Sequence, residues 1–215
     1  MKLRVFNIVK NTKVEGPGSR YCIWVQGCSR HCKGCQAVHT WPHNKGELYE
    51  VEDIIENIFK FAGIAIPRPL REGIKGWGNP LIEGVTFLGG EPFEQAEALG
   101  IIAERVKKNE LSVVCFTGGK LEELRKDPKN QKLLENTDLL IDGEFIQELK
   151  DYSRPWCGSS NQRYHFLTDR YNEDIFTKYK NKVEVNISKN GQVFINGMGN
   201  FDEILRKVDL IGIKK

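Results

Sequence analysis

The stretch VQGCSRHCKGCQ, residues 25–36, places Cys28, Cys32 and Cys35 at C-x3-C-x2-C spacing and offers no fourth cysteine nearby. Thiolates bind iron-sulfur clusters and zinc and also carry redox chemistry, so the spacing has to discriminate among these uses. Structural zinc normally has four protein ligands, often in two separated pairs, and this sequence lacks the second pair. A four-iron cluster held by three thiolates leaves one iron open, where a reactant can bind.

Two other uses of the cysteines stay open from the loop alone. A histidine would complete a Cys3His zinc site, and the chain would then be a zinc-stabilised binding module. Three histidines lie in or near the loop: His31, His39 and His43. A thioredoxin-like site would use Cys32 and Cys35 as a C-x-x-C pair, but it leaves Cys28 without a role and requires a different fold.

Strands and helices alternate around the cysteine loop. Apolar runs predict strands at KLRVFNI and RYCIWVQG, at GVTFL (84–88), at LSVVCFT (111–117) and at DLLID (138–142). Helical spacing of apolar residues predicts one helix from residue 51, a second from Pro92 and a short third over KLEELRK. This alternation favours an α/β fold with a parallel sheet or a partial (β/α) barrel.

The C-terminal part of the chain has a different pattern. KVEVNIS and QVFING flank an Asn-Gly dipeptide at 190–191, which predicts a β-hairpin, and Asn200 and Glu203 predict the cap of a closing helix. The Pro- and Gly-rich segment 63–82 predicts a long loop. We therefore expect one domain over residues 1–215, with a core at about 14–163 and an extension at about 164–215.

Composition limits the class of protein. The content of 40% hydrophobic and 28% charged residues is ordinary for a globular fold and argues against disorder. The net charge of +3 is too small to indicate a nucleic-acid or membrane partner. Since there is neither a signal-peptide pattern nor an apolar run of membrane length, we expect a cytoplasmic protein. The remaining cysteines, Cys22, Cys115 and Cys157, are expected to be buried small apolar residues.

Motifs beyond the loop carry a resemblance. The C-x3-C-x2-C spacing, followed by GGEP (89–92) after an apolar strand, resembles the radical S-adenosylmethionine superfamily. In chain order, the sequence also contains VEGPGSR, WVQGC, CKGC, HTW, TFLGGEP, FTGGKLEEL, LLIDGEF and GSSNQR. This series is similar to the activating enzymes of glycyl-radical enzymes, in particular the branch that activates anaerobic ribonucleotide reductase.

The resemblance implies a reaction and its participants. Cys28, Cys32 and Cys35 would hold a [4Fe-4S] cluster whose open iron binds S-adenosylmethionine. An electron from an external donor such as flavodoxin or ferredoxin would cleave the cofactor and give a 5′-deoxyadenosyl radical. That radical would abstract a hydrogen atom from a glycine Cα of a glycyl-radical enzyme partner. Radical modification of a small molecule or another peptide is the alternative reaction.

Further residues are expected to bind the cofactor. In a parallel α/β fold, ligands gather at the carboxyl ends of the strands, where several motif residues would lie. The expected cofactor-binding residues are Gly89, Gly90, Glu91, Thr117, Asp142, Asn161 and Arg163. Glu91 would accept from the ammonium group of the cofactor and Asp142 from a ribose hydroxyl, although a simple strand-end turn also explains Asp142. The GSSNQR segment would contact a carboxylate or a partner backbone.

Overall fold

Seven strands form one mixed sheet. The computed structural model describes residues 1–64, 81–187 and 193–200. The strands are β1 (Lys2–Thr12), β2 (Arg20–Val25), β3 (Glu47–Glu50), β4 (Gly84–Gly89), β5 (Ser112–Phe116), β6 (Leu139–Asp142) and β7 (Arg163–Phe166). Their order across the sheet is β3-β1-β2-β4-β5-β6-β7.

The centre of the sheet is parallel and its edges are antiparallel. The pairs β2–β4, β4–β5 and β5–β6 are parallel, as the alternation of strands and helices predicts. The pairs β1–β2, β1–β3 and β6–β7 are antiparallel. Within the described ranges, β3 and β7 each have one strand neighbour, so the sheet does not close into a barrel.

In the described residues, five α-helices accompany the sheet: α1 (Val51–Ala62), α2 (Ala96–Lys107), α3 (Leu121–Leu124), α4 (Gln131–Glu135) and α5 (Ile175–Lys178). Helix α1 begins at the predicted residue and ends at Gly63, whose φ of 74° forms the left-handed cap that glycine adopts without strain. Helix α2 begins four residues after the predicted start at Pro92. The intervening Pro92–Gln95 is a 3-10 turn, capped by the Glu91 side chain on the N–H of Phe93.

The two faces of the sheet are covered differently. On β2, Tyr21, Ile23 and Val25 pack with α1 and α2 in the main core. Their neighbours Cys22 and Trp24 point to the opposite face, because successive side chains of a strand alternate in direction. With both faces covered, every residue of β2 is buried, and this explains the continuous apolar run in its sequence. We call the face that carries Trp24 the inner face.

Arg20 links the amino ends of three strands through hydrogen bonds. Its buried guanidinium donates to the hydroxyls of Thr86 (2.7 Å) and Ser112 (2.9 Å). It also donates to the carbonyls of Pro17 (3.1 Å) and Val85 (2.5 Å). Because these acceptors lie on β4, β5 and the segment before β2, Arg20 joins strands that are distant in sequence. This is the structural role of the arginine in VEGPGSR.

The C-terminal extension contains the expected hairpin. Strands β8 (Val183–Ile187) and β9 (Val193–Gly197) pair antiparallel in a separate two-stranded sheet. The Asn-Gly turn at 190–191, the predicted closing helix after residue 200 and most of the 63–82 segment lie outside the described residues. Cys22, Cys115 and Cys157 are buried thiols, as expected. Each described helix is too short or too polar to traverse a lipid bilayer.

Candidate functional site

The carboxyl ends of β2 and β4 bring two motifs together. Val25 and Gly89 are register partners at the ends of these parallel strands. Beyond them, the N–H of Gly90 donates to the carbonyl of Val25 (2.9 Å), and that of Glu91 to the carbonyl of Gly27 (2.8 Å). The cysteine loop therefore starts in hydrogen-bonded contact with the GGE segment, as expected for ligand-binding loops at this edge of a sheet.

Gly90 is required where these two loops cross. A Cβ on Gly90 would lie 2.1 Å from the carbonyl oxygen of Gly27, far inside any contact that real side chains make. Gly89 has φ of +106°, and its Cβ would lie 2.8 Å from the Cα of Trp24. The two glycines thus have a packing role that does not depend on any cofactor.

The three loop cysteines line one cavity of about 200 Å³. Cys28 is buried, whereas Cys32 and Cys35 are half-buried. Other lining residues come from the GGE segment, from the end of β5 and from the turn after β6: Gly89, Gly90, Glu91, Thr117, Gly118, Gly143 and Phe145. The structure thus brings together the predicted metal ligands and four of the seven predicted cofactor-binding residues.

The sulfur of Cys35 accepts the backbone N–H of Ala37 at 3.4 Å. Burial raises the pKa of the Cys28 and Cys32 thiols, and nearby backbone N–H groups oppose that rise: those of Arg30 and His31 at Cys28 and that of Phe145 at Cys32. Backbone N–H donors to sulfur are the means by which proteins orient cluster thiolates and tune their potential, so these cysteines fit an iron-sulfur cluster.

In the part of the chain that the structure describes, no three His, Cys, Asp or Glu side chains converge on one point as they would around a single metal ion. The three loop cysteines line a common cavity.

The histidines of the zinc alternative make other contacts. His31 stacks on Trp41 with ring centroids 4.6 Å apart, and His39 packs on Phe6 at 4.5 Å. The Nε2 atom of His43 lies 2.7 Å from a carboxylate oxygen of Glu94. None of these three histidines lines the cysteine cavity, so the geometry gives no support to a Cys3His site.

Glu91 is a buried carboxylate with four donors. Its Oε1 accepts from the hydroxyl of Thr117 (2.7 Å) and the N–H of Phe93 (3.1 Å). Its Oε2 accepts from the Nε of Arg30 (2.8 Å) and the N–H of Gly118 (3.0 Å). A cofactor ammonium that binds Glu91 has to take the place of one donor. Arg30 is the donor that can move away most easily, because its side chain is 31% exposed. The other three donors are two backbone N–H groups and the hydroxyl of the buried Thr117.

Arg30 was not among the residues predicted from the sequence. The sequence places Arg30 between Cys28 and Cys32, but it does not show that this side chain contacts Glu91 on another loop. The arginine side chain crosses Gly118 and Gly119, where a Cβ would lie within 2.4 Å and 2.9 Å of its atoms. The glycines of FTGG therefore make room for the arginine.

Asp142 is buried at the end of β6, and its carboxylate has hydrogen-bond partners within the protein. Its carboxylate accepts from the N–H of Leu121 (2.7 Å) and from the Nε (2.9 Å) and Nη2 (2.5 Å) atoms of Arg163. The Nε2 atom of His165 lies 3.0 Å away. Burial alone would raise the pKa of Asp142, but the hydrogen bonds from Arg163 and Leu121, together with the neighbouring His165, outweigh it and lower this pKa.

Three of the predicted cofactor-binding residues lie off the cysteine cavity. They are Asp142, Asn161 and Arg163, and their sequence neighbours Gly143 and Gln162 line it instead. Arg163 also donates to the carboxylate of Glu122 (3.0 and 2.9 Å), which lowers the pKa of Glu122 to about 2. Binding roles for these three residues stay predictions.

Gln162 organises the GSSNQR loop. Its Oε1 accepts from the N–H groups of Gly158 (2.8 Å) and Ser159 (3.2 Å), and its Nε2 donates to the carbonyl of Gly143 (3.1 Å). Asn161 donates to the carbonyl of Glu144 (2.9 Å). The Oδ1 of Asn161 is buried and accepts no hydrogen bond from the described residues.

A second cavity of about 800 Å³ adjoins the first on the inner face. The two cavities share lining residues, among them Cys35, Gly89, Phe116 and Phe145. Most of the other walls of the larger cavity are aromatic or apolar, including Phe6, Trp24, Val193 and Phe194. Its volume lies within the range of about 300–1,000 Å³ that is usual for ligand sites. The cysteines thus stand beside a cavity that can hold a substrate.

Comparisons with known proteins agree with this geometry. The family described as "4Fe-4S single cluster domain" matches residues 14–165. The anaerobic ribonucleoside-triphosphate reductase-activating protein of Vibrio cholerae is 35% identical over 161 residues, which are 72% of this chain and 92% of that protein. The proteins of the same name from Haemophilus influenzae and Escherichia coli K12 are 34% and 31% identical, over 71% and 72% of this chain and 90% and 92% of theirs.

The solved structure of QueE from Escherichia coli aligns over 55% of this chain and 53% of the QueE chain, with a TM-score of 0.38 and 19% sequence identity. This similarity is too low to support an argument. The family match and the sequence relatives confirm the resemblance that the motifs carry. Since the family match covers most of the chain and the relatives are matched over nearly their full length, this chain belongs to the family of anaerobic ribonucleoside-triphosphate reductase-activating proteins, with a 4Fe-4S single cluster domain.

Proposed function

We propose that this chain activates an anaerobic ribonucleoside-triphosphate reductase by forming a glycyl radical on it. Cys28, Cys32 and Cys35 would hold a [4Fe-4S] cluster, with S-adenosylmethionine bound beside it. When bound, these two groups supply reductive cleavage of a carbon–sulfur bond and removal of a hydrogen atom from a glycine Cα. The observation that carries the proposal is the single cavity lined by all three cysteines and by Gly89, Gly90 and Glu91.

The chain's own residues would bind, orient and shield these groups. The backbone N–H of Ala37 would orient the Cys35 thiolate, and Glu91 offers a buried acceptor for an ammonium group. Phe116 and Phe145, which line both cavities, keep an apolar surface between the cluster site and the larger cavity. Exclusion of water matters because a reactive radical is otherwise lost to side reactions.

We also propose that the sheet is a partial (β/α) barrel and that residues 1–215 form one domain. Helices α1 to α4 on one face of the sheet and the cavities on the other support the barrel assignment. The family match ends at residue 165, close to the core boundary expected near 163, and this supports the division between core and extension.

The partners follow from the chemistry. The reductase is the proposed substrate, and an external one-electron donor such as flavodoxin or ferredoxin is needed to reduce the cluster. We propose that the reaction takes place in the cytoplasm, without nucleic acid or membrane. Radical modification of a small molecule or another peptide is the competing reaction, and the experiment below separates the two.

Anaerobic reconstitution with iron and sulfide tests the proposal. We expect an iron-sulfur absorption band, release of 5′-deoxyadenosine that depends on reductant, and a glycyl doublet in the electron paramagnetic resonance spectrum once the reductase is added. Stoichiometric zinc without these signals would indicate a binding module. Release of 5′-deoxyadenosine without a glycyl doublet on the reductase would favour the competing radical reaction.

A further inference from the structure

The β8–β9 hairpin lies beyond the part of the chain that the family match covers. The match ends at residue 165, and the hairpin runs from Val183 to Gly197. It is a two-stranded sheet of its own and is not an edge of the seven-stranded sheet. An isolated hairpin of this size is marginal in water, so its position depends on contacts with the rest of the protein.

One set of contacts fixes the hairpin to the ends of β1 and β2. The N–H of Gly197 donates to Oε1 of Glu15 (2.6 Å), and the Nδ2 of Asn196 to the hydroxyl of Thr12 (3.0 Å). The ring of Phe194 meets that of Trp24 edge to face at 5.8 Å. Glu15 and Asn196 are both buried, which makes these contacts part of a packed interface.

A second set of contacts reaches the loops around the cysteines. The carbonyl of Gly199 accepts from the Nε2 of Gln36 (3.2 Å), which follows the last cysteine. A Cβ on Gly158, in the GSSNQR loop, would lie 3.4 Å from the sulfur of Met198. The chain from β9 to Gly199 therefore passes over the inner face, from the contacts with Thr12 and Glu15 to the cluster loop.

The large cavity lies beneath this segment. The residues from Val193 to Met198 form one of its walls, and the inner face of the sheet, with Trp24 and Phe116, forms another. The walls are mainly aromatic and apolar, with Glu15 and Lys150 as their ionisable carboxylate and amine side chains. Burial raises the pKa of Glu15 to about 8, so this wall residue is mostly uncharged at neutral pH, and Lys150 is the cationic group of the lining. An uncharged, extended segment is the chemistry that such a cavity accepts.

We propose that the hairpin is the outer wall of the substrate cavity, and that Phe194 and Met198 contact the glycine-bearing segment of the partner and select for apolar side chains next to that glycine. This inference rests on the proposed function. Continuity of the cavity with the cluster site supports it, since Cys35, Gly89 and Phe145 line both. The hairpin would thus give this chain a specificity element outside the family core.

Photo-crosslinking tests the contact without any need for turnover. The reconstituted protein would carry p-benzoylphenylalanine in place of Phe194 and would be irradiated with the reductase. We expect a crosslink to the proteolytic fragment of the reductase that contains its radical glycine. The matched control places the same group at Ile187, which is on the same hairpin but 54% exposed and not on the cavity lining. Crosslinks from position 187 only, or from neither position, would overturn the inference.

Titration with the reductase gives a second readout. We expect Phe194→Ala to raise the reductase concentration at half-maximal glycyl radical yield at least about fivefold, the usual size of a loss at a buried aromatic contact. Phe194→Leu should recover part of this loss, and Ile187→Ala should match the wild type. If the wild type forms a radical and Phe194→Ala saturates at the same concentration, the inference alone fails. If the wild type forms no glycyl radical, the proposed function fails and the inference with it.

Discussion

Substitution of Asp142 by Asn separates a structural role for this residue from a role in cofactor binding. The Asp142 side chain is fully buried, accepts three hydrogen bonds and pairs with Arg163, which is 42% exposed. An asparagine keeps one acceptor for the N–H of Leu121 but loses the charge that faces the guanidinium. We therefore expect a folded protein with reduced stability and with cofactor affinity close to that of the wild type.

The magnitude follows from the contacts. A hydrogen bond to a charged group contributes about 1.5–3 kcal/mol, and loss of a fully buried partner costs more. Here Arg163 is partly solvated and keeps Glu122 as a second partner, so the loss should fall to about 2 kcal/mol. For a protein of this size, that lowers Tm by about 4–8 °C.

The effect should depend on pH in a defined direction. Since the pKa of Asp142 is lowered in the folded state, its contribution is complete above the pKa of the unfolded carboxyl, which is about 3.9. The contribution is lost as pH falls through the lowered pKa. The stability difference between the wild type and Asp142→Asn should therefore be full at pH 7 and should shrink below about pH 4.

Urea denaturation under anaerobic conditions measures the stability, and equilibrium dialysis with S-adenosylmethionine measures the affinity. Glu122→Gln is the control, because Glu122 contacts the same arginine from an exposed position and should change stability little. A variant of Asp142 with wild-type stability and greatly weakened cofactor binding would refute the structural account. It would support the ribose contact that the sequence predicts.

Four further substitutions test other parts of the site and fold. Cys32→Ala should abolish the iron-sulfur absorption band. The control Cys115→Ala, which alters a buried cysteine of the main core, should keep the band. A retained band in Cys32→Ala would contradict the ligand assignment. Glu91→Gln should weaken S-adenosylmethionine binding at least about tenfold in dialysis, since a charged acceptor is lost, and unchanged affinity would exclude the ammonium contact. Gly90→Ala should destabilise by about 1–3 kcal/mol in urea, because its Cβ would lie 2.1 Å from a carbonyl oxygen; wild-type stability would show that the loops do not cross so closely. Arg20→Met should cost about 3 kcal/mol or more by leaving buried carbonyls and hydroxyls without a donor, and a loss below about 1 kcal/mol would contradict the strand-clamp role.

The sequence predicts the parallel centre of the sheet and the loop that holds the cysteines. Apolar runs such as RYCIWV identify strands buried on both faces, and the amphipathic period predicts a helix that begins near residue 51, where α1 begins. The predicted start of α2 at Pro92 is four residues early, because proline suits a 3-10 turn as well as the first helical position. The antiparallel edges were not predicted, since local pattern carries no information on which strands pair.

Within the site, short sequence motifs identify groups of residues that are close in the chain and also close in the structure. The cysteines and GGE belong to this class, and the structure brings them to one cavity. Arg30 was missed because its contact with Glu91 joins loops 61 residues apart. Asp142 and Arg163 pair with each other, whereas their neighbours Gly143 and Gln162 line the cavity. The ion pair joins two strands, so the sequence does not reveal it, and the binding roles of Asp142 and Arg163 stay predictions.

The central claim is that this chain forms a glycyl radical on a reductase partner. The most direct measurement is electron paramagnetic resonance of the anaerobic reductase after incubation with the reconstituted protein, S-adenosylmethionine and a one-electron reductant. We predict a glycyl doublet that is absent when Cys32→Ala replaces the wild type. A reductase without the doublet, although the wild-type protein carries its cluster and binds S-adenosylmethionine, would contradict the claim.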